Sequence, residues 1–185
     1  MKKWIVENKE KLHDLKIFDL YKYRLKSPYD EKDFNFYVFD SSNWINIIPI
    51  TRDNRVIFVK QYRAGTDQIT LELPGGMIDK GEQVLSAARR ELFEETGYKS
   101  KKWEKLGVVH PNPAIMNNSC FTYLARDIEK FSLPQNSGSE YTKVVSHHVD
   151  ELDELVEKKK ITHSLVINAI YWYKMNCKQG EWRNW

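Results

Sequence analysis

Cysteine is scarce in this chain: two in 185 residues, Cys120 and Cys177, far apart and at no metal-binding or redox spacing. That excludes a disulfide scaffold and leaves two reduced thiols, the reading expected of a cytoplasmic protein. Long apolar runs are also lacking. No segment approaches the roughly 18 apolar residues of a membrane span, and the first residues, MKKWIVENKEKL, hold no apolar stretch suited to a secretory signal. An excess of one charge is missing too. The formal net charge is +3 with the basic residues scattered, which argues against a nucleic-acid partner. There is no internal repeat and no low-complexity tract. What is present, 41% hydrophobic and 30% charged residues, suits one globular domain with a real core and a small extension.

Residues 4–12 read as a short irregular or helical lead. Residues 16–25 and 34–39 alternate loosely, are rich in aromatics and read as strands, with Ser27-Pro28 turn chemistry between them. Residues 44–50 and 55–63 are further strands joined by a turn at Arg52-Asp53-Asn54. The second has a nearly continuous apolar centre, as expected of burial on both faces. Residues 69–73 form a fifth strand that runs into the turn Pro74-Gly75-Gly76. Residues 83–96 have helical period, with Val84, Leu85, Ala88, Leu92 and Phe93 as an apolar stripe and Gly97 placed to end the helix. Strands follow at 103–109, 119–125 and 141–149, then a helix over 149–159 with a basic end. Thr162 is placed to cap a last helix reaching about Asn176. His110-Pro111-Asn112-Pro113 reads as a stiff extended loop, and residues 133–140 as a polar one. His147-His148 has no partner at ligand spacing. The fold class is α+β with a mixed sheet rather than an alternating parallel one.

Within this order one helix stands out. Glu91, Glu94 and Glu95 sit at i, i+3 and i+4, so their carboxylates fall on nearly one face. Like charges stacked that way repel, and a hard divalent cation with its preference for clustered oxygen ligands is the natural compensation. The preceding Gly75-Gly76 turn can lend a backbone oxygen to the same place.

The spacing Gly76, five residues, Glu82, seven residues, Arg90-Glu91-Leu92, one residue, Glu94-Glu95, one residue, Gly97, Tyr98 resembles the Nudix box. Only Tyr98 departs, standing where an aliphatic residue is usual. The flanking Lys60-Gln61-Tyr62-Arg63 and Leu71-Glu72-Leu73-Pro74-Gly75-Gly76, with Pro113 and residues 161–169, are similar to the ADP-ribose pyrophosphatase branch of that family. After Pro113 the branch often carries a glycine-containing run with a glutamate, whereas this chain reads Ala114-Ile115-Met116-Asn117-Asn118.

The resemblance implies a Nudix fold, an α/β/α sandwich around a mixed sheet with an N-terminal antiparallel strand extension. It implies metal-dependent hydrolysis of the pyrophosphate bond in ADP-ribose or another nucleoside diphosphate sugar. Mg²⁺ is the expected cofactor, with Mn²⁺ the alternative, held by Glu91, Glu95 and the Gly75 carbonyl. Glu94 is a further ligand or water-mediated contact, and Arg90 orients a box glutamate. Glu82 caps or salt-bridges the loop-helix element. The general base of the branch is a loop glutamate, here Glu140, whose other reading is a solvated carboxylate. Arg63 either reaches a phosphate or makes a surface ion pair. Trp44 either stacks on the base or packs in the core, and Pro113 lies on the substrate side. Other substrates left open are dinucleoside polyphosphates, NADH, coenzyme A and capped RNA, and a catalytically silent nucleotide-binding module is the rival class. By the same resemblance residues 1–40 form a strand extension that pairs two copies into a homodimer, and residues 41–185 the hydrolase domain. Trp182 and Trp185 pack on the body or on a partner.

Overall fold

A computed structural model describes residues 1–135 and 141–178. The two runs that read as most apolar lie at its centre, β4 (Trp44–Ile50) and β5 (Arg55–Arg63). Along β4 the side chains alternate faces. Ile45 and Ile47 join one apolar cluster and Ile48 and Ile50 the other, so both faces of the strand are buried. The sheet built on this pair runs β12 (Lys143–His148), β5, β4, β10 (Cys120–Arg126), β9 (Lys102–Val109). β10 runs parallel to β4, while β12 and β5 are antiparallel, so the sheet is mixed as expected.

One face is covered by α1 (Val84–Thr96), whose Ala87, Ala88 and Leu92 pack on Ile45, Ile47 and Ile57. The other is covered by α2 (Leu152–Glu157) and α3 (Ser164–Lys178), which bring Leu155, Val166 and Ala169 against Ile48, Phe58 and Leu124. Each fully buried aliphatic or aromatic side chain stabilises this arrangement by about 1.5–3 kcal/mol. The helix–sheet–helix sandwich is the architecture anticipated above.

Two more strands join the sheet, the first of them the fifth strand expected at residues 69–73. β6 (Gln68–Glu72) pairs with β5, and β7 (Gly75–Met77) pairs with β4 where only a turn was expected. β8 (Tyr98–Lys99) and β11 (Glu129–Lys130) form a further two-residue ladder. Residues 149–159 are not one helix. A single 3-10 turn, Val149–Glu151, precedes α2, and the lysines at 158–160 fall beyond its last residue. α3 is capped by His163 rather than Thr162: the His163 Nδ1 accepts the Leu165 N–H at 3.2 Å and its carbonyl accepts that of Ile167 at 3.1 Å. His147 and His148 also have partners, Glu151 and Asp150.

The chain divides into two units, of which the sandwich, residues 44–108 and 120–178, is one. The other joins residues 1–43 to 109–119. It holds a three-stranded antiparallel sheet of β1 (Ile5–Asp14), β2 (Asp19–Lys26) and β3 (Asp33–Asp40). β1 occupies the stretch expected to be irregular or helical. Its side chains are nearly all exposed, so no apolar alternation marks it; ion pairs from Lys11 to Asp19 and Lys22 to Glu10 cross to β2 instead. Phe39 bridges Met116 within the same unit. Among the described residues no helix is long and apolar enough to cross a membrane.

Gly97 ends α1 in the left-handed conformation (φ 75°), with its N–H on the Phe93 carbonyl. A Cβ there would also run into the Ser132 carbonyl. Gly97→Ala therefore loses more than the roughly 1 kcal/mol of a left-handed alanine, read as a lower urea midpoint at constant slope; an unchanged midpoint would contradict this packing.

Candidate active site

The strand β6 leaves the sheet through Leu73 and Pro74. The Pro74 carbonyl accepts the Ile47 N–H at 2.9 Å, which fastens the turn to β4 before β7 begins. Here the backbone meets α1. The Gly75 N–H donates to Glu95 Oε2 at 2.9 Å. Gly76 lies so close to Glu91 that a Cβ would stand 2.6 Å from its carboxyl carbon, so any other residue would displace that side chain. The two glutamates expected to hold a cation are thus both set by the glycine turn. Glu91 is nearly enclosed, its side chain 12% exposed, whereas Glu94 is 42% exposed.

Arg90 joins the acids together. Its Nε and Nη2 reach both oxygens of Glu82 at 3.1 and 3.0 Å. Nη1 bonds Glu91 at 2.7 Å and Glu94 at 3.2 Å, and Nη2 also bonds the Met77 carbonyl at 3.0 Å. All five guanidinium donors are engaged. The bond to Glu82, followed by burial and the bond to Glu91, governs its ionisation, and the net result holds Arg90 firmly charged. Arg90 in turn holds the Glu82 carboxyl below the usual carboxylate range. Glu82 also accepts the Asp79 N–H at 3.1 Å, so it braces the loop onto the helix.

The acidic face differs from the ready metal cluster expected from spacing. Among the described residues no three His, Cys, Asp or Glu side chains stand together as a metal-ligand group. Arg90 draws Glu91 and Glu94 to itself, and Gly75 draws Glu95. The donor set still suits a hard cation. Glu82, Glu91 and Glu94 share one guanidinium, and Glu95 takes the Gly75 N–H beside them. The excess is negative and all the ligand atoms are oxygen.

Arg63, expected at a phosphate or in a surface ion pair, makes an ion pair with a buried partner. Its Nε and Nη2 donate to the two oxygens of Glu72, both at 2.8 Å. Glu72 is 3% exposed and was not singled out from the sequence, although a charged residue in the apolar run before the Pro-Gly-Gly turn was a visible signal. Thr70 Oγ1 donates to Glu72 Oε1 at 2.5 Å, and His163 Nε2 lies 4.0 Å from Oε2. Burial alone pushes the Glu72 carboxyl up, but the bonds from Arg63 and Thr70 outweigh it and hold it below its ordinary range.

Trp44 is half-buried at the start of β4, opposite Met77 of β7 and beside Cys120 of β10. Pro113 lies in the other unit, exposed, at a turn in which the Asn112 carbonyl accepts the Ile115 and Met116 N–H groups. Glu140, Trp182 and Trp185 lie outside the described residues. On either side of the stretch holding Glu140, the Gln135 N–H donates to the Glu94 carbonyl at 2.7 Å and Thr142 Oγ1 to the Glu95 carbonyl at 3.0 Å. Both flanks are therefore tied to the last turn of α1, whose carbonyls lack partners within the helix.

Comparison with known proteins agrees with these features. The family model described as NUDIX domain matches residues 44–168. An ADP-ribose pyrophosphatase of Bacillus subtilis is 26% identical over 171 residues, covering 90% of each chain. A protein of Bacillus methanolicus named methanol dehydrogenase activator is 27% identical over 135 residues, 71% of each chain. A crystal structure of an ADP compounds hydrolase superposes with a TM-score of 0.85 over 97% of both chains at 22% identity, a likeness of fold.

The depressed Glu72 carboxyl fixes the sign of a pH effect. Its ion pair stabilises the fold fully above the unfolded value of about 4.3, and that contribution is lost as pH falls through the lower folded value. Glu72→Gln lacks it. The stability gap between wild type and Glu72→Gln, from urea unfolding, is expected to be widest near neutral pH and to narrow toward about pH 3. A gap that does not vary with pH would contradict the pair.

Proposed function

The chain belongs to the NUDIX family, and on that premise we propose that it is a divalent-metal-dependent pyrophosphohydrolase. Its substrate is ADP-ribose or another nucleoside diphosphate sugar, and its products are a nucleoside monophosphate and a sugar phosphate. The observation that carries this reading is the acidic face of α1 set against the Gly75-Gly76 turn. The Bacillus subtilis relative, similar along 90% of the chain, supports the choice of substrate.

Glu91 and Glu95 are the metal ligands, with the Gly75 carbonyl beside them and Glu94 at the exposed edge. A bound Mg²⁺, or Mn²⁺ in its place, offsets phosphate charge and makes water a better nucleophile. The chain's own groups do the positioning. The Gly75 N–H aims one oxygen of Glu95, and Arg90 fixes Glu91 while bracing Glu82. Arg63 offers a planar donor fork for a phosphate. Trp44 offers an aromatic face for a nucleobase, an interaction of about 1–3 kcal/mol. Glu140 is the general base. Two unpaired cysteines support a cytoplasmic setting.

A second copy of the chain pairs through the three-stranded sheet of the first unit. One face of that sheet is aromatic: Trp4 stands edge-on to Phe34 and Phe36, each at 5.5 Å, and both phenylalanines are exposed. Exposed aromatic surface of this kind favours association.

A second reading, a silent module acting on a partner enzyme, draws on the name of the Bacillus methanolicus relative. The intact set of Glu91, Glu94, Glu95 and Arg90 argues against it.

Turnover separates the two. With Mg²⁺ the protein is expected to convert ADP-ribose to AMP and ribose 5-phosphate, and without metal to leave it intact. Glu95→Gln should lower turnover by about a hundredfold or more while keeping the unfolding midpoint. No metal-dependent hydrolysis across ADP-ribose, ADP-glucose, NADH and coenzyme A would favour the binding module. Light scattering should give twice the 22.0 kDa chain mass, and Phe36→Ser should return it to one chain; a wild type that stays at one chain mass would remove the second copy.

A further inference from the structure

We propose that Glu72 is a positioning residue for the reaction: its buried carboxylate grips the Arg63 guanidinium by one edge and so aims the opposite edge at a substrate phosphate. This rests on the pyrophosphohydrolase reading above. Arg63 is the last residue of β5 and Glu72 the last of β6, but they are not opposite each other in the ladder. Arg63 pairs in register with Gln68, and Glu72 with Val59. The arginine side chain therefore lies back along the hairpin to reach Glu72. Such a posture has to be held by something, and the bidentate contact does so.

The two ends of this pair are in different surroundings. The Glu72 side chain is 5% exposed and that of Arg63 is 44% exposed. A carboxylate buried so far is strongly destabilising without its cation, so the pair stays closed. Thr70 adds a bond to Oε1, which fixes the plane of the carboxylate and with it the plane of the guanidinium. Nε and one Nη2 hydrogen serve Glu72. A phosphate oxygen is assigned to the guanidinium hydrogens that Glu72 does not take.

The placement links this arginine to the acidic face. Glu72 lies three residues before Gly75 on the same short segment, and Gly75 donates to Glu95. The Pro74 carbonyl fastens the segment to β4 between them. One piece of backbone therefore carries both the anchor of the phosphate-binding arginine and the donor that orients a metal ligand. Orientation of that kind acts on the placement of substrate relative to the reacting group.

The test is a double-mutant cycle on binding of the non-hydrolysable α,β-methylene ADP-ribose with Mg²⁺, by calorimetry. KM and kcat for ADP-ribose and unfolding midpoints are read in parallel. Arg63→Ala and Glu72→Gln should each weaken binding about tenfold, and the double variant no more than Arg63→Ala alone. Arg63→Lys, which lacks the fork, should behave as Arg63→Ala, and Glu72→Asp should recover part of the loss. Losses that multiply to about a hundredfold in the double variant, or full affinity in folded Glu72→Gln, would overturn the proposal. If the wild type binds the analogue yet leaves ADP-ribose intact, the hydrolase reading falls while the cycle still decides the role of Glu72. If it does not bind the analogue at all, both fall.

Discussion

One guanidinium, that of Arg90, holds together a surface that carboxylates alone would push apart. Glu82, Glu91 and Glu94 all close on it, and Met77 lends a carbonyl to its last donor. Were the helix simply solvated, Glu91, Glu94 and Glu95 would repel by a few tenths of a kcal/mol per pair, a small penalty that evolution could remove with one neutral residue. Instead the acids are kept, one of them nearly enclosed, and each is given a defined neighbour. Arg90 supplies cohesion but only one positive charge against four negative ones. The remaining imbalance suits a hard cation.

The fold explains why the neighbours are where they are. β4 is apolar on both faces because α1 covers one and α3 the other, and its first residues pair with β7. That pairing brings Gly75 and Gly76 under the acidic side of α1, close enough that Gly76 leaves no room for a Cβ. The segment that enters this turn carries Glu72, and Glu72 grips Arg63 at the end of β5. Core packing, the turn, the carboxylates and the exposed arginine form one continuous mechanical chain. A change in any link moves the groups joined to it.

Much of this was legible from residue order, for identifiable reasons. β4 and β5 have the bounds that their apolar runs suggest, because burial on both faces leaves an unbroken hydrophobic record. Gly97 marks the end of α1 because few other residues tolerate that backbone conformation. β1 left no such record: its polar side chains pair across the sheet rather than into a core, so the period of two is hidden. β7 is a Gly-Gly-Met tripeptide whose strand character comes entirely from β4. The spacing of the glutamates was plain, but spacing places carboxylates on a face without saying which cation they turn to, and Arg90 competes for them. Glu72 and Arg63 were both visible as charges beside apolar runs. Their contact was not, since it spans a register offset that only the folded hairpin defines.

In the proposed mechanism Glu91 and Glu95 hold a divalent cation beside the glycine turn. Mn²⁺ binding, followed by electron paramagnetic resonance on the wild type, Glu91→Gln and Glu95→Gln, tests it most directly, because it needs no assumption about substrate. The wild type is expected to bind Mn²⁺, and each substitution to weaken binding at least about tenfold with the fold intact. Mn²⁺ affinity unchanged in both variants would contradict it.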